Sequence, residues 1–269
     1  MRNAAQRWTF RSAFTVGFAL LALLSMSVAF ASDGSGQPTG ITDEARKMHD
    51  LYLLVLAIGA VVFVAVEGAL IYALVKYKKR DDREPKQIHG NNVLEVIWTS
   101  IPIVIVLILF VFSFIVLVDV EEEAEDRDLT VHVQGFQFSW SFKYELNDTG
   151  RGSNPSAQGA VEIIGTGAKE PELVIPVDEP VEFILNSNDV IHSFYVRDFL
   201  YKLDIIPGRE NSFKVTAREE GTFIGQCAEL CGLNHALMRF SLRVVSRAEF
   251  DDFLAKQSAG QRAAAAPTN

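Results

Sequence analysis

Two long apolar runs dominate the hydrophobic pattern in the first half of the chain. Residues 51–75 are apolar except for Glu67, and residues 94–118 carry one charge, Glu95, near their start. Each run reaches the roughly 20 residues that a helix needs to cross about 30 Å of hydrocarbon. A core helix is seldom this long and this uniformly apolar. The pattern therefore predicts two transmembrane helices.

A third apolar stretch lies at the start of the chain, from Phe14 to Phe30. Three arginines precede it, and residues 29–31 form an A-x-A-type cleavage site. This arrangement predicts a cleaved signal peptide over residues 1–31, with an uncleaved membrane anchor as the alternative. The N-terminal segment and the two spans then occupy residues 32–120.

Charged residues beside the two spans predict the topology. Six basic residues crowd the short loop between the spans: Lys76, Lys78, Lys79, Arg80, Arg83 and Lys86. Residues 119–128 beyond the second span are mostly acidic. By the positive-inside rule the basic loop stays in the cytoplasm, so both ends of the mature chain lie outside. Residues 121–247 are therefore expected to form an exported domain.

Alternating apolar and polar residues predict that the exported domain is built of β-strands. Leu129, Val131 and Val133 alternate with polar residues, and the phase changes after Gly135, which suggests a β-bulge. The same alternation continues at 136–142, 181–185, 213–215 and 240–244. No long amphipathic segment intervenes, so an all-β sandwich or barrel is expected rather than an α/β fold.

The remaining segments of this half predict loops and a C-terminal extension. Residues 147–170 are rich in Gly, Ser, Asn and Ala, as in a long loop or insertion. Residues 247–256 could form a short helix, and a disordered tail is expected to follow, so that 248–269 lie outside the β domain. Turns are expected at Pro207 and Glu220, just ahead of the strand that leads into Cys227.

Candidate ligands for a metal ion cluster in the twelve residues from Cys227 to Met238. This segment holds both cysteines of the protein, and His235 and Met238 follow Cys231 at spacings of four and seven. Thiolate, imidazole and thioether form the ligand set that suits copper. His192, upstream at what the pattern predicts to be the end of a strand, adds a second imidazole.

Several kinds of site could use these residues. The cysteines alone could form a disulfide or a thiol redox couple, although free thiols are exposed to oxidation in an exported protein. A blue copper site needs one cysteine, two histidines and an axial methionine, so the second cysteine would be superfluous. Two thiolates can instead bridge two coppers, each completed by one histidine. Structural zinc and a membrane-anchored copper chaperone or thiol-exchange protein remain as alternatives.

Charge and composition narrow the class of partner. With 34 acidic and 25 basic residues the formal net charge is −9, which disfavours nucleic acid. Glu67 lies inside the first span, where an ionisable residue usually faces protein. Glu95 at the cytoplasmic start of the second span could be no more than an interfacial charge.

Four separate motifs resemble subunit II of the haem–copper cytochrome c oxidases. They are LEVIWTSIP at 94–102, DVIHSF at 189–194, DIIPGR at 204–209 and the segment 227–238, and they occur in the order found in that family. The resemblance extends from the first span to about Val245. It implies a two-helix transmembrane hairpin followed by an all-β cupredoxin-like sandwich with a binuclear copper A centre.

The resemblance also implies roles for individual residues. It implies six copper ligands, five through side chains and Glu229 through its backbone carbonyl: His192, Cys227, Glu229, Cys231, His235 and Met238. The Glu229 carboxylate would reach a magnesium ion shared with subunit I, with Asp204 nearby through water. Glu95 would lie near the mouth of a proton-uptake path into subunit I. No comparable role is implied for Glu67.

The implied function is electron transfer in a bacterial inner membrane, with the copper domain on the periplasmic side. Cytochrome c would deliver one electron at a time, and the chain would pass it to haem in subunit I, where oxygen is reduced to water. Subunits I and III and membrane lipid are the expected neighbours. Quinol oxidase subunits lack the copper ligands, and a nitrous oxide reductase needs a large further domain.

This sequence departs from the family pattern in two places. The position at which electrons usually enter, a Trp two residues before another Trp, holds Phe138, and Trp140 follows. Electrons could therefore enter at Phe138 or, less directly, at Trp140. Arg197 stands where the family usually has Pro. No C-x-x-C-H sequence occurs, so no covalent haem is expected and the donor would be a separate protein.

Overall fold

The chain folds into two long helices followed by a β-sandwich. The computed structural model describes residues 38–79, 87, 89–121, 129–146, 161–166 and 169–265. The predicted signal peptide at 1–31 lies outside these residues, as do Arg80, Arg83 and Lys86 of the basic loop. The acidic residues 122–128 and the last four residues of the tail lie outside them as well.

Helices α1 (Asp43–Lys76) and α2 (Asn92–Val120) contain the two predicted spans and extend each of them at both ends. Each begins at a capping residue: Thr42 accepts a hydrogen bond from the amide of Ala45, and Asn91 accepts bonds from Val93 and Leu94. The two helices contact each other, and both are long and apolar enough to cross a membrane. Their most apolar 18-residue windows have no buried residues, as expected of surfaces that face lipid or partner subunits.

Within the residues that the structure describes, ten strands form two five-stranded sheets. In the first sheet the strand order is β3-β2-β1-β5-β8, and in the second it is β4-β10-β9-β6-β7. The strands are β1 (Leu129–Phe136), β2 (Ser139–Leu146), β3 (Val161–Ile164), β4 (Glu172–Pro176), β5 (Pro180–Ser187), β6 (His192–Val196), β7 (Tyr201–Ile205), β8 (Asn211–Thr216), β9 (Gly221–Cys227) and β10 (Arg239–Val245). The predicted all-β sandwich is confirmed.

The phase change near Gly135 is a hairpin turn, so the predicted bulge is wrong. Strand β1 runs on to Phe136, and β2 begins at Ser139, directly opposite it. Gln137 and Phe138 form the turn. Because the chain reverses there, the alternation restarts in a new phase while the buried residues of both strands still share one face of the sheet.

Two further boundaries differ from the prediction. The segment 147–170 contains β3, a four-residue strand that pairs with β2 through Ser141 opposite Ile164. The C-terminal helix α3 (Arg247–Ala265) is nine residues longer than predicted. The apolar side of this helix is buried through Phe250, Phe253 and Leu254. The strong helix formers that follow extend the helix, which contacts β3.

The core between the sheets is a continuous aromatic cluster. Phe194 lies at its centre, with ring centroids 5.0 Å from Phe240, 5.6 Å from Phe183 and 6.1 Å from Trp140. These four side chains are at most 1% exposed. Close aromatic packing of this kind makes the sandwich a rigid support for the loops at its end.

The start of α1 is attached to the β domain by backbone and side-chain contacts. The amide of Ile41 donates to Asp198, the carbonyl of Ile41 accepts from the amide of Arg218, and Thr42 bridges to Ala217. The Arg218 guanidinium also pairs with Asp43 at 2.6 Å and with Asp178 at 3.0 Å. The start of α1 is thereby fixed to Ala217 and Arg218, directly after strand β8.

We expect Arg218→Ala to loosen this attachment. The ion pairs are partly exposed, so their loss should lower the local free energy of opening by about 1 kcal/mol. Hydrogen–deuterium exchange at residues 41–45 should then be about fivefold faster. Arg46→Ala, which removes a more exposed pair with Glu219, should have a smaller effect. Equal exchange in the wild type and the Arg218 variant would contradict this role.

Candidate metal centre

The loop between β9 and β10 is closed at its base by a backbone hydrogen bond. The amide of Cys227, the last residue of β9, donates to the carbonyl of Met238 at 3.0 Å. The next amide, of Ala228, donates to the carbonyl of Ser193 on β6 at 3.1 Å. The eleven residues from 228 to 238 therefore project from two neighbouring strands of one sheet, as the sequence predicts.

A tight turn inside this loop brings its three other candidate side chains together. The 3-10 turn His235–Leu237 is closed by hydrogen bonds from His235 to Gly232 and from Met238 to His235. As a result, the Cys231 Sγ lies 3.7 Å from the Nδ1 of His235 and 3.8 Å from the Sδ of Met238. The spacings of four and seven residues thus converge on one thiol.

His192 completes the cluster from a neighbouring strand. It begins β6 rather than ending a strand, which corrects the prediction, because the preceding strand β5 stops at Ser187. Its Nδ1 lies 3.8 Å from the Sγ of Cys227. The two thiols are free and 3.9 Å apart, and the ligand atoms of His192, Cys227 and Cys231 all lie within 4.8 Å of one another.

Both thiols are buried, and burial and their hydrogen bonds together set their protonation. Burial raises the pKa of the Cys227 thiol, but hydrogen bonds with His192 and with nearby backbone groups outweigh it, so the net shift is downward. Burial, and then the charge of Cys227, raise the pKa of Cys231. Cys227 is therefore the first of the pair to become a thiolate, the form that binds metal.

The donor set fits a soft metal ion. The separation of the two sulfurs is less than twice a metal–sulfur bond of about 2.3 Å, so one ion can contact both. A thioether lies beside one thiol, and the carbonyl oxygen of Glu229 lies 3.3 Å from the other. Two thiols, two imidazoles, a thioether and a carbonyl exceed the four ligands of a tetrahedral site.

Two residues that the sequence did not single out hold the ligands in place. The Asp189 carboxylate accepts hydrogen bonds from the Nε2 of His192 at 2.9 Å and from the amide of Gln137 at 2.6 Å. Burial raises the pKa of this carboxyl, but bonds from His192, Gln137 and Val190 outweigh it and lower the pKa to about 2. A carboxylate three residues before a candidate histidine was the available signal.

The structure distinguishes between the two aromatic residues predicted for electron transfer. Trp140 is completely buried, and its indole nitrogen donates to the carbonyl of Met238 at 3.4 Å. Phe138 is half-buried in the β1–β2 turn. Its Cε1 lies 3.0 Å from the position that a Cβ on Gly232 would occupy, so its ring covers the residue after Cys231.

The side chains predicted for magnesium binding and for the proton path are not part of the group of sulfur and imidazole donors. The Glu229 side chain is exposed, and Asp204 on β7 pairs with Ser193 on β6. The Ser193 hydroxyl is buried and has no hydrogen-bond partner among the described residues. Glu95 is exposed in the first turn of α2, and Glu67 is exposed in the middle of α1.

Comparison with known proteins gives matches over both halves of the chain. The family described as cytochrome c oxidase subunit II, periplasmic domain, matches residues 129–245, and the corresponding transmembrane domain matches residues 18–116. A probable cytochrome c oxidase subunit 2 of Streptomyces avermitilis is 35% identical over 247 residues, covering 81% of this chain and 77% of that protein. The chain belongs to the cytochrome c oxidase subunit II family.

Other relatives give the same result. A probable cytochrome c oxidase subunit 2 of Rickettsia bellii is 34% identical over 227 residues, with 81% of each chain covered. Among solved structures, the periplasmic domain of subunit II of cytochrome oxidase (CoxB) of Bradyrhizobium japonicum is 31% identical. The match covers 51% of this chain and 99% of the Bradyrhizobium chain, with a TM-score of 0.43.

Membership of the subunit II family confirms the resemblance seen in the sequence. The chain is a membrane-anchored subunit of a haem–copper terminal oxidase, an oxidoreductase complex, with a periplasmic-type domain. The family implies a copper A site, and the buried histidine–cysteine cluster is where such a site would form.

Proposed function

We propose that this subunit accepts electrons one at a time from a cytochrome c at a binuclear copper centre and passes them to haem in subunit I. The observation that carries the proposal is the convergence of the buried donors on two thiols. The proposed ligands are the side chains of five residues and the backbone carbonyl of Glu229: His192, Cys227, Cys231, His235 and Met238.

The arrangement of donors favours two metal ions over one. His192 lies against Cys227, whereas His235 and Met238 lie against Cys231. Each thiol therefore has its own imidazole, and both thiols can be shared between two metal ions. When bound, a copper pair supplies one-electron redox chemistry with the charge spread over two ions. Asp189 fixes the imidazole of His192, and the burial of both thiols excludes water from the sulfur atoms.

The alternatives fit the geometry less well. Structural zinc would leave the buried thioether of Met238 without a role, although it lies 3.8 Å from a thiol. A thiol-exchange protein usually holds its reactive cysteine at a helix N-terminus, but Cys227 ends a strand. A copper chaperone would bind a single copper(I), which needs fewer donors than converge here.

We assign the route of electron arrival to Phe138 rather than Trp140. Trp140 is sealed in the core between the sheets, so a docking protein cannot reach it. Phe138 is partly exposed and packs over Gly232, one residue from Cys231. Its ring would shield the metal centre from water. The same ring would give a docked electron donor a short path to Cys231.

The exposed carboxylate of Glu229 and the carboxylate of Asp204 are proposed to serve a magnesium ion shared with subunit I. The support comes from strand pairing. Asp204 is the cross-strand partner of Ser193, and the carbonyl of Ser193 accepts a hydrogen bond from the amide of Ala228, the residue before Glu229. The Ser193 hydroxyl, which has no partner among the residues that the structure describes, could bind a water molecule of such a site.

The two membrane helices are proposed to contribute to a proton-uptake path and to bind the other subunits of the complex. Glu95 lies in the first turn of α2, and the cytoplasmic mouth of a proton path into subunit I is proposed to lie at this end of the helix. The helices would pack against subunit I, with subunit III and lipid as further neighbours. We place the complex in the bacterial inner membrane with the β domain on the periplasmic side.

The metal content of the purified oxidase tests this proposal. We expect two coppers bound by this subunit, in addition to any in subunit I, and a mixed-valence signal in electron paramagnetic resonance that is delocalised over both ions. Chelation of the metal should abolish reduction by cytochrome c. One copper, or zinc in its place, would rule the binuclear assignment out.

A further inference from the structure

Gln137 links the turn that carries Phe138 to both sides of the ligand cluster. It is exposed and occupies the first position of the two-residue turn between β1 and β2. Its backbone amide donates to the carboxylate of Asp189 at 2.6 Å, and its side-chain amide donates to the carbonyl of Cys231 at 2.7 Å. Both bonds are short. The first ends on Asp189, which accepts a hydrogen bond from the proposed ligand His192, and the second ends on the proposed ligand Cys231 itself.

The ligand loop lies unusually close to this turn. A Cβ on Gly232 would be 3.1 Å from the Nε2 of Gln137 and 3.0 Å from the ring of Phe138. Gly232 also has a φ of +134°, which side-chain-bearing residues rarely adopt. The chain at 231–232 is therefore held directly beneath the turn, with the side chain of Gln137 as the bond between the two segments.

We propose that Gln137 is a positioning residue that raises the reduction potential of the metal centre and holds Phe138 against it. This inference rests on the proposed copper function. The side-chain N–H directs the positive end of its dipole at the backbone of Cys231, which favours the electron-rich, reduced state of the centre. The same bond keeps the Cys231–Gly232 segment in contact with the ring of Phe138.

Gln137→Glu in the full oxidase complex tests the proposal, because the substitution keeps size and backbone amide but removes the donor. We expect two coppers per subunit, an altered hyperfine pattern in electron paramagnetic resonance and a lower reduction potential. Gln137→Ala should lower the equilibrium constant for reduction about fivefold, the factor that corresponds to one net hydrogen bond. Gln137→Glu should lower it further, since a negative charge replaces the donor.

Gln134→Glu is the matched control, because it makes the same charge change on strand β1 of the same hairpin. Equal shifts in the two glutamate variants would show a long-range charge effect and overturn the proposal. An unchanged potential and spectrum in Gln137→Ala would overturn it as well. The wild-type two-copper signal tests the proposed function by itself, so a failure there is distinct from a failure of Gln137 to shift it.

Discussion

Replacing Cys231 with serine should abolish the binuclear centre. The Cys231 sulfur lies 3.7–3.9 Å from the donor atoms of three other proposed ligands, His235, Met238 and Cys227. Structural zinc sites of four ligands contribute about 10–16 kcal/mol, or roughly 2.5–4 kcal/mol for each ligand, which sets the scale expected here. A serine hydroxyl is a hard donor that stays protonated near neutral pH, so copper affinity should fall about 100- to 1,000-fold.

Metal analysis, electron paramagnetic resonance and the rate of reduction by cytochrome c would measure this loss. The expected result is the disappearance of the mixed-valence signal and of rapid electron uptake. Glu229→Gln is a suitable control in the same loop, because the carbonyl rather than the carboxylate of that residue faces the sulfur of Cys227. The control should keep both coppers.

Loss of copper must be separated from loss of the fold. Cys231 is buried, so the metal-free forms of the variant and the wild type should be compared by thermal unfolding. Similar unfolding temperatures would assign the effect to the metal. A Cys231→Ser protein that retained two coppers and the wild-type spectrum would show that this residue is not a ligand.

The candidate ligands could be proposed from the sequence because they are close together along the chain. Four of the five side chains lie within twelve residues, and their chemistry identifies a soft metal without knowledge of the fold. Asp189 offered a local signal, its position three residues before His192, but Gln137 offered none. Gln137 lies 94 residues before Cys231, and it reaches the carbonyl of that residue only because the strands pair.

The limits of the fold prediction have a similar origin. A change in the phase of alternation at Gly135 fits a bulge or a tight hairpin, and only the pairing of Phe136 with Ser139 distinguishes them. The burial of Trp140 likewise depends on Phe194 and Phe240, which are far away in sequence. The two membrane helices needed no such information, because length and composition suffice.

Replacing Gly225 with alanine should strongly destabilise the core of the β domain. Gly225 on β9 lies opposite Phe240 on β10, and a Cβ there would be 2.0 Å from the Cζ of that ring. Phe240 cannot move aside, since it is fully buried among Phe194, Trp140 and Phe142 at centroid distances of 5.0–5.4 Å. Overpacking of this kind costs about 3 kcal/mol or more.

Thermal unfolding of the full chain in detergent should show a melting temperature lower by about 10 °C. Gly260→Ala is the matched control: its Cβ would meet nothing within 4 Å on helix α3, so it should be neutral or slightly stabilising.

Because Trp140 packs on Phe240 and donates to the carbonyl of Met238, the Gly225 variant should also bind copper more weakly. Adding Phe240→Leu should restore part of the stability by making room for the methyl group. If Gly225→Ala melted like the wild type, the close contact between β9 and the Phe240 ring would be wrong.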